Sequence, residues 1–195
     1  MLIYKFMPGY VIHLAIGKVY EKKNEIKNIK DFEKGIIAPD MTDNKSKTHY
    51  GPYSSMPNFN KYIIEHGINN EYDKGYLLHL ISDYLYYNYF LKKWDNKIYN
   101  DYDILNKRIM EKYEFTIPEE IKKYAKFKDG ELTWINEKGL YKFIEYFNKI
   151  NLEQIVKKKS DEEIKKELTD NFLDYIKPKK IIDESEKELW KLKEI

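Results

Sequence analysis

The chain has 195 residues and a nearly balanced charge, with 35 basic against 33 acidic residues for a formal net charge of +2. This balance carries no nucleic-acid signature, and Arg108 is the one arginine, so bidentate recognition of phosphate by arginine is almost excluded. Cysteine is absent, which excludes disulfides and thiolate metal sites and leaves nitrogen and oxygen as metal ligands.

Helical patterning dominates the first half of the chain. Pro8 suits the first turn of a helix, and we predict helices over residues 8–21 and 29–37. Pro39 ends the second helix and opens a loop over residues 38–58, a length that in a compact domain usually signals function or disorder. The stretch GYLLHLISDYLYYNYF that follows is apolar nearly all round the helical wheel, which predicts a buried helix.

Three further helices are predicted in the middle of the chain, over residues 99–114, 118–127 and 137–150. Residues 131–135 follow a turn at Gly130 and are the one segment for which we allow a short strand. No repeat or low-complexity linker divides the chain. We therefore expect an all-α fold in a single domain that spans residues 1–195.

Two helices are predicted after residue 152, where the sequence becomes strongly charged. Ser160 and Glu163 have the spacing of a capping box at the start of a helix, and Pro178 separates two amphipathic stretches. We expect a solvated helical hairpin over residues 152–195 that packs through Ile164, Leu168, Phe172, Leu173 and Ile176. A partner-binding or oligomerisation element is the alternative for this region.

The sequence shows no sign of a membrane or secretory segment. No apolar run reaches the roughly 18 residues that a membrane span requires. The first 15 residues carry one lysine and an early Pro8-Gly9 pair, which makes a poor secretory signal. We therefore expect a cytoplasmic protein.

His79 and Asp83 lie four residues apart in the predicted buried helix, so both side chains leave the same face, about 5–6 Å apart. An ionised carboxylate in such surroundings costs several kcal/mol unless a cation or a full set of hydrogen bonds compensates it. A bound metal ion would compensate it, and we interpret the pair as metal ligands.

Three other residues share this apolar or turn-rich context. His13 lies inside the first predicted helix, Asp40 follows Pro39 at the mouth of the long loop, and His49 lies within that loop. A turn aspartate and a hydrogen-bonded core histidine are the ordinary alternatives. His66, just before a glycine, fits a helix C-terminus, and we do not expect it to bind metal.

The order of these residues resembles that of the zinc-dependent phospholipase C family, whose helical fold is shared with zinc-dependent single-strand nucleases. The resemblance covers about residues 8–95 and rests on His13, Pro39-Asp40, Thr48-His49-Tyr50 and the run from Gly75 to Asp83. Its most specific element is the His-x-x-x-Asp helix preceded by Gly-Tyr-Leu. It implies a phospholipase C-like and zinc-nuclease-like helical bundle with a long loop that carries ligands.

The resemblance also implies a ligand set, in which one zinc ion is held by Asp40, His49, His79 and Asp83. His13 would hold a second ion, with Asp83 bridging the two. Secreted members hold a further zinc through a histidine six residues beyond the helix aspartate and a later His-x-x-x-Glu pair. Here the first position is Tyr89 and no histidine follows His79, so we expect one or two ions. Manganese and iron suit the same ligands.

The activity that the resemblance implies is metal-assisted hydrolysis of a phosphate ester, with a phospholipid, a nucleotide or a small phosphoester as substrate. If it is not a firm ligand, Asp40 is the candidate general base towards the attacking water. Candidates for substrate contact, with core packing as the alternative, are Tyr50, Tyr76, Tyr84 and Tyr87. The competing hypothesis is a non-catalytic helical protein with a structural or remnant metal site, which binds a partner through its C-terminal helices.

Overall fold

The computed structural model describes residues 9–91 and 93–177. The first half of this region contains α1 (Tyr10–Glu21), α2 (Ile29–Ile37), α3 (Lys45–Thr48), α4 (Phe59–Glu65) and α5 (Glu71–Leu85). The second half contains α6 (Ile98–Tyr113), α7 (Glu119–Lys122), α8 (Glu137–Tyr146), α9 (Leu152–Ile155) and α10 (Asp161–Ile176). No β-strand occurs in the described ranges, so the all-α prediction is confirmed there. None of the described helices is long and apolar enough to cross a membrane.

Side-chain caps begin many of these helices. In five helices the backbone amide three residues after the N-cap donates to the side chain of an N-cap asparagine. These asparagines are Asn28, Asn58, Asn70, Asn136 and Asn151. Ser160 caps α10 by accepting from the amide of Glu163, as the capping-box spacing predicts. The Glu163 carboxylate accepts from the amide of Lys159 instead of closing the box on Ser160.

The buried helix predicted around His79 is confirmed as α5, in which every residue from Gly75 to Leu85 is buried. A single π-helical turn (Tyr86–Phe90) continues it. α1 is buried almost as completely, His13 included. The two polar side chains on α5 that the sequence singles out therefore lie in the centre of the molecule.

α2 lies against α5 at a distance that only glycine permits. A Cβ added to Gly75 would overlap the carbonyl oxygen of Phe32, and one added to Gly35 would overlap the carbonyl oxygen of Tyr72. The two backbones therefore meet directly. This approach brings the last turn of α2, and the 3-10 turn (Ala38–Asp40) that extends it, onto the polar face of α5.

The predicted strand over residues 131–135 is wrong. The amides of Thr133, Trp134 and Ile135 donate to the carboxylate of Asp101 on α6, at 2.7–3.1 Å. These three amides are therefore not free to donate to a neighbouring strand. Asp101 is fully buried. Residues 131–135 are therefore held by a long-range contact that their own sequence does not predict.

Three other predicted boundaries differ from the structure. The helix predicted over 118–127 is only α7, because the Lys126 carbonyl accepts from the Asn106 side chain and the Lys128 amide donates to the backbone carbonyl of Asp103. The helix predicted over 137–150 tightens into a 3-10 turn after Tyr146. The predicted loop over 38–58 contains the 3-10 turn at Asp40 and the short helix α3.

The first arm of the predicted C-terminal hairpin is α10. Ile164, Leu168 and Phe172 are buried as predicted, but Leu173 is 36% exposed and faces away from the core. The arm predicted beyond Pro178 lies outside the described residues.

Replacing Gly75 with alanine tests the close approach of α2 and α5. Ala has the higher helix propensity by about 0.5–1 kcal/mol, so a loose contact would be stabilised. We expect a loss of about 2 kcal/mol instead, because the overlap is with backbone, which corresponds to a fall in Tm of about 4–8 °C. Lys30→Ala, at an exposed position of α2, is the control and should stay within about 0.5 kcal/mol of wild type. An unchanged or raised Tm for Gly75→Ala would show that the helices are not in contact.

Replacing Asp101 with asparagine should lower the free energy of unfolding by about 2–4 kcal/mol in urea titration, because three backbone amides share this fully buried carboxylate and the asparagine has one acceptor oxygen instead of two. The control is Asp103→Asn, whose carboxylate pairs with the half-exposed Lys128 and should cost less than about 1 kcal/mol. Equal effects of the two substitutions would contradict the role assigned to Asp101.

Candidate metal centre

Four of the five predicted ligands converge on one buried point. His79 and Asp83 come from adjacent turns of α5, Asp40 from the 3-10 turn after α2, and His49 from the end of α3. One ligand atom of each lies within 4.8 Å of all the others. The exposed fractions of these side chains are 6% or less.

The separations between the ligand atoms fit a metal ion. His49 Nε2 lies 3.0 Å from Asp83 Oδ2 and 4.0 Å from Asp40 Oδ1. His79 Nε2 lies 3.6 Å from Asp83 Oδ2 and 3.7 Å from Asp40 Oδ1. Around a tetrahedral zinc ion with bonds of about 2.0–2.1 Å, neighbouring ligand atoms lie about 3.3–3.4 Å apart. The four residues could therefore hold one ion with small adjustments.

The ring orientation of His79 is fixed by backbone. Its Nδ1 lies 2.7 Å from the carbonyl oxygen of Ile36 on α2. A carbonyl only accepts, so Nδ1 carries the proton and the neutral ring presents a bare Nε2 to the carboxylates. Burial, together with the nearby His13, lowers the pKa of His79 to about 4, which keeps this ring neutral at pH 7.

His49 is oriented in the same way. Its Nδ1 lies 3.1 Å from the carbonyl oxygen of Lys45 and near Thr48 Oγ1, which itself donates to the carbonyl of Pro39. Nδ1 is therefore the donor, and Nε2 faces Asp83 and the hydroxyl of Ser54. A carbonyl behind each imidazole is the arrangement that metal-binding histidines use to fix their tautomer.

His13 joins the cluster from the other side of Asp83. Its Nε2 lies 3.4 Å from Asp83 Oδ1, the oxygen that does not face His49 and His79. Its Nδ1 lies 2.8 Å from Ser82 Oγ, and that hydroxyl donates to the carbonyl of His79, so it accepts from His13. The two oxygens of Asp83 are therefore directed at different imidazoles, as a bridging carboxylate requires.

One buried atom of the cluster, His79 Nε2, has no hydrogen-bond partner. It lies 3.7 Å from Asp40 Oδ1, whose partner is the Lys45 ammonium on the other side. A bare imidazole nitrogen beside a carboxylate oxygen brings two lone pairs together, and an unsatisfied buried polar group costs about 1–3 kcal/mol. A cation between the two atoms would satisfy His79 Nε2 and separate the lone pairs.

The charges of the site are set by burial and by near neighbours. Burial would raise the pKa of Asp83, but its hydrogen-bond contacts with the ring nitrogens of His13 and His49 hold it well below the usual value. Burial likewise opposes ionisation of Asp40, and the attraction of the Lys45 ammonium lowers its pKa. Both carboxylates are thus ionised near neutral pH, which gives the site the negative charge that a divalent cation needs.

A narrow pocket leads to the cluster from the side of α1 and the π-helical turn. It has a volume of about 20 Å³, which is room for about one water molecule. Its lining includes His13, Asp40 and Asp83 together with Lys45 and the aromatic rings of Tyr86, Tyr87, Tyr102 and Phe143. His49 and His79, by contrast, are at most 1% exposed and close the opposite side of the site.

Lys45 is a residue of the site that sequence reasoning missed. It begins α3, and its Nζ lies 2.7 Å from Asp40 Oδ1. Asp40 and Asp83 raise the pKa of this lysine against the effect of burial. A lysine in a loop of a lysine-rich chain carries no signal of such a contact. Ser82 also supports the site, and its position next to Asp83 was the available signal.

Several expected residues lie elsewhere. His66 ends α4, as predicted, and its Nε2 is 2.6 Å from the hydroxyl of Tyr50. Of the four tyrosines considered for substrate contact, Tyr87 lines the pocket, and the hydroxyls of Tyr76 and Tyr84 bond to Thr48 and Thr169. The hydroxyl of Tyr89 also bonds to Thr169.

No family model matches the chain, and no curated protein and no solved structure is significantly similar to it.

We expect the purified protein to carry about one zinc or similar divalent ion per chain. His79→Ala and Asp83→Ala should each weaken zinc affinity by more than about a hundredfold, since even the partners behind metal ligands are worth about 10–100-fold. Metal analysis after dialysis measures this, and chelation should lower Tm because the ion binds only the folded chain. The control is His66→Ala, which should keep its metal. Loss of metal from His66→Ala, or metal-free wild type from zinc-replete cells, would contradict the ligand assignment.

Proposed function

We propose that this protein is a metal-dependent hydrolase of phosphate esters, with its ion held by Asp40, His49, His79 and Asp83. The observation that carries the proposal is the buried and unpartnered His79 Nε2, which lies 3.7 Å from the carboxylate of Asp40, a residue that lines the pocket. The proposal also draws on the order of ligands along the chain, which resembles that of zinc-dependent phospholipases C.

A metal ion at this point would supply a water of lowered pKa and an electrophile for a phosphoryl oxygen. When it is not bound to the ion, Asp40 would accept the proton of the attacking water, because it lines the pocket and its carboxylate lies beside the histidine pair. Burial keeps the pKa of Tyr87 well above its usual value, so its phenol would stay a hydrogen-bond donor at the pocket wall. His13, on the free oxygen of Asp83, would hold a second ion.

The alternative is a structural metal site in a protein that works by binding a partner. The four-ligand set and the size of the pocket favour this alternative, because structural zinc sites are closed by four protein ligands. In that case Asp40 is a permanent ligand and cannot act as a base. The two functions therefore differ in what Asp40 does.

Hydrolysis of bis(p-nitrophenyl) phosphate in the presence of zinc or manganese tests the proposal. Asp40→Asn should reduce the rate at least about a hundredfold, because loss of a general base typically costs about 10²–10⁴. The control is Asp43→Asn in the same loop, where the side chain is exposed and the rate should be unchanged. Metal content measured on the same samples separates loss of the base from loss of the ion. If the wild type keeps its metal but turns over no phosphodiester, phosphomonoester or phospholipid, the structural role replaces hydrolysis.

A further inference from the structure

Lys45 has a position that metal binding alone does not explain. A metal ion and the Lys45 ammonium are both attracted to Asp40 Oδ1, so the lysine competes with the ion for a ligand. Lys45 is also the one lysine or arginine among the residues that line the pocket. A side chain that weakens metal binding and faces the pocket calls for a second role.

The ammonium has hydrogen-bonding capacity to spare. It carries three N–H donors, and Asp40 is the one carboxylate within ion-pair distance of it among the described residues. The Lys45 side chain is 32% exposed, whereas that of Asp40 is 4% exposed. The lysine can therefore be reached from solvent and can hold a ligand against the buried cluster.

The charges of the site favour a negative ligand. The ionised carboxylates of Asp40 and Asp83 would be neutralised by one divalent ion, with the imidazoles neutral. The Lys45 ammonium then contributes a single positive charge to a pocket lined by aromatic rings, where charges interact more strongly than in water. An anion would restore neutrality.

We propose that Lys45 is an anion-binding residue that holds one oxygen of a phosphate-like oxyanion beside the metal ion. The pocket volume of about 20 Å³ accommodates a single oxygen of the anion, with the remainder outside. This inference deepens the proposed function by assigning the residue that recognises the phosphoryl group. It does not require turnover, because an oxyanion would bind whether or not it is hydrolysed.

Binding of inorganic phosphate to the zinc-loaded protein, measured by calorimetry, tests the inference. Lys45→Met should weaken phosphate binding about 10–100-fold, the range expected for one charge-assisted hydrogen bond, while zinc content stays at the wild-type value. Lys45→Gln, which keeps a donor to Asp40 but no charge, should weaken it by a similar factor. Lys47→Met is the matched control, because Lys47 lies on the same short helix with an exposed side chain and should bind phosphate like the wild type.

Three outcomes would overturn the inference. These are a zinc-loaded wild type that does not bind phosphate, a Lys45→Met variant that binds it as tightly as wild type, and loss of zinc from a folded Lys45→Met variant. The third would make Lys45 a support of the metal site. Phosphate binding that depends on Lys45, without hydrolysis of any phosphate ester, would leave the inference standing and remove the proposed function.

A measurement on the wild type decides the matter even if both Lys45 variants fail to fold. Acetylation of lysines by acetic anhydride is followed by mass spectrometry with and without inorganic phosphate on the zinc-loaded protein. We expect phosphate to slow the modification of Lys45 at least several-fold and to leave Lys47 unchanged. Equal modification of Lys45 with and without phosphate would overturn the inference.

Discussion

The contact between α2 and α5 is the constraint on which the metal centre depends. It exists because Gly35 and Gly75 let two helix backbones touch. As a result the Ile36 carbonyl reaches Nδ1 of His79, and the chain that leaves α2 delivers Asp40 to the same point. A helix held one side chain farther away would leave His79 without its partner and Asp40 out of reach. Packing therefore fixes both the tautomer of one ligand and the position of another.

The chemistry of the site follows from the burial of carboxylates and imidazoles side by side in the core. Two carboxylates stay ionised inside the core, and three imidazoles have their Nδ1 protons committed to Ile36, Lys45 and Ser82. His79 consequently turns an unprotonated nitrogen towards the carboxylates, and the Nε2 atoms of His13 and His49 both face Asp83. Such an arrangement is costly for the chain alone and favourable with a cation present, as expected where folding and metal binding are coupled. Lys45 neutralises part of this charge from the pocket side.

Much of this site was predictable because its ligands are polar side chains in apolar stretches of sequence. An aspartate and a histidine four residues apart in an otherwise apolar helix require compensation, and periodicity alone places them on one face. α2 was predicted with its observed bounds because its apolar residues recur at helical spacing up to a proline. The convergence of His13, Asp40 and His49 came from the family resemblance, since no local pattern specifies contacts across 30 or more residues.

The features that could not be predicted from the sequence depend on contacts between residues far apart in the chain. Residues 131–135 alternate like a strand, but their amides bond to Asp101, more than 30 residues earlier. Lys45 resembles any other loop lysine until α3 turns its side chain into the pocket. Leu173 completes an amphipathic pattern, yet α10 is rotated so that Ile164, Leu168 and Phe172 are buried, Ile176 packs at the edge of the core, and Leu173 stays exposed.

X-ray absorption spectroscopy at the zinc edge of the purified protein tests the central claim most directly. We expect a first shell of about four or five nitrogen and oxygen atoms at about 2.0–2.2 Å, with the outer-shell scattering of at least two imidazoles. Substitution of His79 should remove one imidazole contribution or the bound zinc altogether. A shell of six oxygens without imidazole scattering, or a spectrum that His79→Ala leaves unchanged, would contradict it.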